Sequence, residues 1–202
     1  MSCHDKSDSL RDVAIDVLSV DRKLDEIFEQ YKSEIMGTIY FLYAGSESMS
    51  KIAYEKLRKR CSRYYENSRI GNPHAWVFRI LYNLAFETVG NSKTKRRKNP
   101  GTAHEKESSE IKSDEEAMIL TRRKILRDAL LNLRFSERAV FLLRQNGGLS
   151  YEQIARATGF SEADVRAQMK TAIDALVRAS DSFSNGVQKQ SVSDSEPNEV
   201  KE

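Results

Sequence analysis

Residues 147–179, GGLSYEQIARATGFSEADVRAQMKTAIDALVRA, decide the fold class. Tyr151, Ile154, Ala155 and Thr158 recur at the i, i+3, i+4, i+7 spacing of one helical face, and Val165, Met169, Ala172, Ile173 and Leu176 repeat it further on. Between the two stripes, Gly159 stands where a helix end favours a left-handed residue, and Ser161 follows as an N-cap for the next helix. The pattern is helix, glycine turn, helix.

Three helix starts share one device, an apolar residue, a serine and a second apolar residue five positions after the first. They are Phe135, Ser136, Val140; Leu149, Ser150, Ile154; and Phe160, Ser161, Val165. Each fits an N-cap with a hydrophobic staple, and Ser150 with Gln153 completes a capping box. Such repetition predicts a small helical bundle. A second helix that lies in a DNA groove must expose small, polar and basic side chains. Glu162, Ala163, Asp164, Arg166, Ala167, Lys170 and Thr171 fall off the apolar stripe and supply that set. A plain helical hairpin in an all-α protein fits the same periodicity.

Residues 133–176, LRFSERAVFLLRQNGGLSYEQIARATGFSEADVRAQMKTAIDAL, resemble the C-terminal promoter-binding domain of bacterial RNA polymerase sigma factors of the extracytoplasmic-function type, most of all in GLSYEQIA and Val165. The resemblance implies that Ala163, Asp164, Arg166, Ala167 and Lys170 read the duplex −35 element. Gln168 departs from the pattern, standing where the family usually carries a basic residue.

Working back along the chain, residues 1–9 read as a loose tail, and Leu10, Val13 and Val17 as a short leading helix. Leu24, Ile27, Phe28, Tyr31, Ile35, Ile39, Leu42 and Tyr43 predict one long amphipathic helix ending near Gly45. A second runs from about Ser50 to Tyr65, with Cys61 a core thiol. Asn72 and Pro73 open a third, whose buried face is Val77, Ile80, Leu81, Leu84 and Thr88.

Phe78, Arg79, Tyr82, Asn83, Phe86 and Glu87 occupy the other faces of this third helix, and Trp76, the one tryptophan, sits near its start. Aromatics beside Arg and Asn suit unstacked single-stranded bases. Completion of a three-helix core by Trp76 and Phe78 is the other reading. Here NPHAWVFRILYNLAFETV is similar to the sigma helix that recognises and helps melt the −10 element. That similarity implies strand capture by Trp76, Arg79 and Asn83, with Lys95, Arg96, Arg97 and Lys98 on phosphate. The basic cluster fits a phosphate contact on electrostatic grounds, with a solvated linker run as the lesser reading.

Upstream, SMSKIAYEKLRKRCSRYY departs from the acidic, glutamine-containing helix by which the family binds the polymerase clamp. Ile52, Glu55 and Leu57 are the residues aligned with that role, whereas Lys51 and Tyr54 replace parts of the usual pattern.

The expected architecture is all-α: two small helical domains joined by a flexible linker, the C-terminal one a helix-turn-helix bundle. Its segments are a tail 1–9, an N-terminal helical domain 10–92 similar to sigma region 2, a basic-then-acidic linker 93–114, a helix-turn-helix domain 115–179 similar to sigma region 4, and a disordered tail 180–202.

Charged residues make up 31% of the 202, yet the net charge is only +3, so nucleic-acid affinity must come from local charge segregation. Two cysteines are too few for a disulfide scaffold and fit a reducing cytoplasm. Cys3 beside His4 lacks a partner pair at zinc spacing, and no metal or cofactor is expected. No apolar stretch approaches the roughly 20 residues of a membrane span, and the start lacks a secretory core. His4, His74 and His104 are scattered, and HExxH, GxSxG and phosphate-loop patterns are absent, which argues against an enzyme.

The resemblance implies core RNA polymerase and promoter DNA as partners, an anti-sigma factor as a further one, and a monomer when free. A dimeric helix-turn-helix regulator that never joins polymerase is the rival reading.

Overall fold

The structure, a computed structural model, describes residues 22–65, 70–90 and 114–193. The 1–9 tail, the leading helix at Leu10–Val17, Cys3, His4, the basic run Lys95–Lys98, His104 and the end of the C-terminal tail lie outside them.

All regular structure among the described residues is helical. Helix α1 covers 22–30, α2 Lys32–Leu42, α3 Glu47–Tyr65, α4 Pro73–Ala85, α5 Asp114–Asn132, α6 Phe135–Gln145, α7 Tyr151–Thr158 and α8 Glu162–Ser193. A single π turn, Phe86–Gly90, prolongs α4. The expected long first helix is broken at Tyr31, whose φ of −109° and ψ of 19° interrupt the α geometry. Gly45, at φ +79°, then ends α2 with its N–H on the Tyr40 carbonyl.

In the front half α2, α3 and α4 pack on one another, burying Ile35, Ile39, Leu42, Leu57, Cys61, Val77 and Leu81. Each such aliphatic side chain contributes about 1.5–3 kcal/mol on leaving water. Burial pushes the Cys61 thiol up to about 12, so this cysteine is an inert core group as expected. Asn72 Oδ1 accepts the Ala75 N–H at 3.1 Å with Pro73 at the first helical position, the predicted start of α4. Thr88, placed by the periodicity on the buried face, is exposed because the π turn changes the rotational phase after Ala85, though its hydroxyl still donates to the Leu84 carbonyl.

In the back half α5, α6 and α7 each pack on α8 around Val140, Leu143, Leu149, Ile154, Val165 and Met169. The start of α6 departs from the expected Ser136 cap. The helix begins at Phe135, and the Arg134 N–H donates to Glu137 Oε2 at 3.1 Å while the Arg134 guanidinium pairs with the same carboxylate. A carboxylate three residues after the Arg134 cap satisfies the start two positions earlier than the serine could. Arg138 enters the core as a C-terminal clamp for α5, its Nη1 donating to the carbonyls of Leu131 at 2.7 Å and Leu133 at 3.0 Å. Burial lowers its pKa to about 10, and the two orphan carbonyls of the helix end hold its charge there.

Helix α8 overruns the expected boundary at Ala179 and continues to Ser193. No proline interrupts residues 180–193, and each added turn gains backbone hydrogen bonds on a helix already nucleated by packing. The 180–202 segment is therefore helical over its described part. Ile173, assigned to the α8 stripe, is 42% exposed, at the rim of the packed face.

One hydrophobic cluster runs through both halves. Helices α2 and α4 pack on α6, and α4 packs on α7.

Candidate nucleic-acid interface

The joint between α7 and α8 is built by local hydrogen bonds. Ser150 Oγ accepts the Gln153 N–H at 3.2 Å and Gln153 Oε1 accepts the Ser150 N–H at 2.8 Å, the expected capping box. Gly159 adopts φ +77° and sends its N–H to the Ala155 carbonyl. A side chain at that φ would be strained, which is why glycine ends α7. Ser161 then accepts the Asp164 N–H at 3.1 Å and donates its hydroxyl to Asp164 Oδ2 at 2.7 Å, so α8 starts on a reciprocal pair.

Helix α8 buries Val165, Met169 and Ala172 and exposes Glu162, Ala163, Asp164, Arg166, Ala167, Lys170 and Thr171. The structure brings Ala163, Asp164, Arg166, Ala167 and Lys170 together on one open face, as the spacing predicts. Asp164 has a structural duty as well, since its carboxylate belongs to the cap. Gln168 is off this face, half-buried, and its Oε1 has no hydrogen-bond partner.

The Arg166 guanidinium lies 4.5 Å over the Tyr151 ring and reaches Glu162 Oε2 at 3.4 Å. Arg144 lies 5.3 Å from the same ring and donates to the Leu149 carbonyl at 2.9 Å. Tyr151 thus orients two cations beside the open face of α8. The sequence reading missed Arg144 and the role of Tyr151, because the contact forms through space between three helices.

On α4 the expected strand-capture residues divide. Arg79 and Asn83 are exposed, but Trp76 is 8% exposed, its indole edge-on to Tyr65 at 6.0 Å. Of the two readings of Trp76, completion of the core is the one this conformation fits: Tyr65 and core neighbours cover it. Trp76 and Arg79 line a cavity of about 310 Å³ together with Asn72 of the α4 cap and Leu149, Gln153 and Arg156 of the α7 region.

Phe78 and Tyr82, placed off the predicted buried stripe of α4, are 0% and 3% exposed, which for Phe78 fits the alternative of core completion. Phe135 stands 6.3 Å from Tyr82 and 6.4 Å from Phe86, and Gly147 approaches Phe78 so closely that a Cβ at 147 would sit 3.1 Å from the Phe78 Cβ. Asn146 Nδ2 donates to Thr38 Oγ1 at 2.9 Å across the same seam. His74 packs at 4.3 Å on Tyr31 and 4.8 Å on Phe78. Burial lowers its pKa below 6.5, partly offset by Glu34 and a hydrogen bond with the Gly147 backbone.

On α3, Ile52 is 49% exposed and Glu55 is exposed, whereas Leu57 is fully buried. Leu57 is therefore corrected from a partner-facing residue to a core residue, its helical phase pointing toward α2 and α4. Part of the basic run is internally neutralised: Arg58 pairs with Asp25, and Arg60 reaches both oxygens of Glu87 at 2.9 and 3.1 Å. Among the described residues no cluster of His, Cys, Asp and Glu could hold a metal, and no helix is long and apolar enough to cross a membrane.

The back half is thus a capped helix-turn-helix with an open, small-residue second helix. Residues 123–176, from α5 into α8, match the family model described as Sigma-70, region 4. No curated protein matches the chain.

Proposed function

We propose that this chain is a sigma factor of the extracytoplasmic-function type, a cytoplasmic subunit that binds core RNA polymerase and directs promoter recognition and initiation. The observation that carries the reading is the coincidence of the region 4 match with the open α8 face, where Ala163, Arg166, Ala167 and Lys170 stand clear of the core. Alanines let the backbone approach base edges, and the cations meet phosphates of the −35 duplex. Arg79 and Asn83 serve the melted −10 strand, with Lys95, Arg96, Arg97 and Lys98 on phosphate. The division into a 10–92 domain, a 93–114 linker and a 115–179 domain belongs to this reading.

On α3, Ile52 and Glu55 keep the polymerase-facing role, and the 37% exposed Met49, one turn before Ile52, replaces Leu57 as its apolar neighbour. The mechanism is binding and strand capture, without bond chemistry. An anti-sigma partner would cover these same faces.

Size-exclusion chromatography of the chain with core polymerase, at low and raised salt, tests the proposal. Co-elution of one chain per polymerase is the expected result. A dimer that binds duplex DNA alone and never joins polymerase would sink it in favour of a stand-alone regulator.

A further inference from the structure

Helix α3 carries six cations and two acids, and it disposes of the cations in two ways. Arg58 and Arg60, on its flanks, are neutralised by Asp25 and Glu87 of neighbouring elements. Lys51, Lys56, Lys59 and Arg63 are exposed and form no ion pair among the described residues.

Three of these free cations, Lys56, Lys59 and Arg63, fall in line with Met49 and Ile52. The steps from 49 through 52, 56 and 59 to 63 alternate three and four residues, which keeps all five on one side of a helix. Ser50, Ala53, Leu57 and Cys61 make the buried side, across the helix from this line, which is about 21 Å long at 1.5 Å per residue. Met49 is 37% and Ile52 49% exposed, so the line is open from end to end.

We infer that this line is a docking stripe for an acidic protein surface, with Met49 and Ile52 as its apolar anchor and Lys56, Lys59 and Arg63 as the cations that select the partner. It rests on the proposed polymerase-facing role of Ile52 and Glu55 and adds the charge class of the surface they meet.

Two features choose the occupant. A bare row of cations serves solubility, but two exposed apolar side chains head this one, and such side chains gain from apolar cover. A nucleic-acid backbone would bring phosphate along the stripe, and the exposed Glu55 carboxylate at its edge opposes that. A protein surface that sets carboxylates beside an apolar patch answers both ends of the stripe. Glu55 itself has Lys51 and Lys59 four residues to either side on the same helix face. Cations of this kind speed encounter with an acidic surface and reject a basic one by like charge.

The test uses the full chain and purified core polymerase, with association and dissociation rates read by interferometry at low and raised salt. Three variants are compared, their helicity checked by circular dichroism: Lys56→Gln/Lys59→Gln/Arg63→Gln, Lys56→Glu/Lys59→Glu/Arg63→Glu, and Ile52→Ser. Zero-length carbodiimide coupling of the wild-type complex, followed by mass spectrometry, reads which carboxylates lie against Lys56 and Lys59.

The neutral variant should associate about tenfold more slowly at low salt, the charge-reversed variant more slowly still, and both gaps should close as salt screens the charges. Ile52→Ser should leave association unchanged and speed dissociation about tenfold. Carbodiimide should join Lys56 or Lys59 to an Asp or Glu of a polymerase subunit. Unchanged association of the folded charge-reversed variant overturns the acidic partner surface while leaving the sigma reading in place. A complex in which neither lysine couples to a carboxylate does the same. Loss of random-sequence duplex binding in that variant, with polymerase association intact, assigns the stripe to phosphate and overturns the protein partner. Failure of wild type to bind polymerase overturns the sigma reading, and the stripe's role with it.

Discussion

Helices α4 and α8 are both amphipathic, and the proposed function assigns each a second face that meets nucleic acid, yet the structure treats those faces oppositely. On α4 the second face is aromatic, and Phe78 and Tyr82 are buried by the back half. On α8 it is made of alanines, cations and acids, and it stays open. The difference follows from solvation. A phenyl ring gains from any cover that removes it from water, whereas a guanidinium or ammonium loses hydration unless the cover supplies partners. A face of rings therefore invites an internal cover, and a face of cations does not.

The contrast predicts unequal costs of truncation. Phe78→Ala removes a fully buried ring that both halves touch and should lower unfolding free energy by about 3–5 kcal/mol in urea titration. A loss under about 1 kcal/mol would mean that the seam is not packed in solution, since even ordinary surface changes reach half that value.

Arg166→Ala, on the open face, should instead leave stability within about 0.5 kcal/mol and weaken promoter-duplex binding by about 1–3 kcal/mol, read by footprinting with polymerase present. An intact footprint would remove α8 from the duplex contact.

The smallest effect concerns protons at the seam. Burial favours neutral His74, with Tyr31, Glu34 and the Gly147 backbone around it, so the closed fold binds fewer protons there than the unfolded chain. Stability is then complete above about pH 6.5 and declines as pH falls below it. His74→Gln should flatten that part of the urea-midpoint profile. An equal slope in wild type and variant would assign the effect to another group.

What was legible in the sequence was local. The Ser150–Gln153 box, Gly159, Ser161 and the Asn72–Pro73 start act over three or four residues, and each appears where its spacing predicts. The open face of α8 followed from the same periodicity. The start of α6 was misread because two polar groups competed, and the Glu137 carboxylate won over the Ser136 hydroxyl.

The cover over Phe78 and Tyr82 was not legible, since a stripe of rings reads alike whether a base or Phe135 meets it. Leu57 was misplaced, and Trp76 was left between two readings, for a related reason. Alignment to a motif assigns a role but not a rotation about the helix axis, and here that rotation points both inward.

The Ser161–Asp164 pair bears on how promoter preference could drift. On the proposed reading, Asp164 belongs both to the DNA face and to the device that starts α8, so replacing it alters specificity and also removes the acceptor of the Ser161 hydroxyl, leaving only the Ser161 contact with the backbone N–H of 164. Ala163 and Ala167 carry no such double duty. New promoter preferences would therefore be reached first through those two alanines, with position 164 the slowest to change.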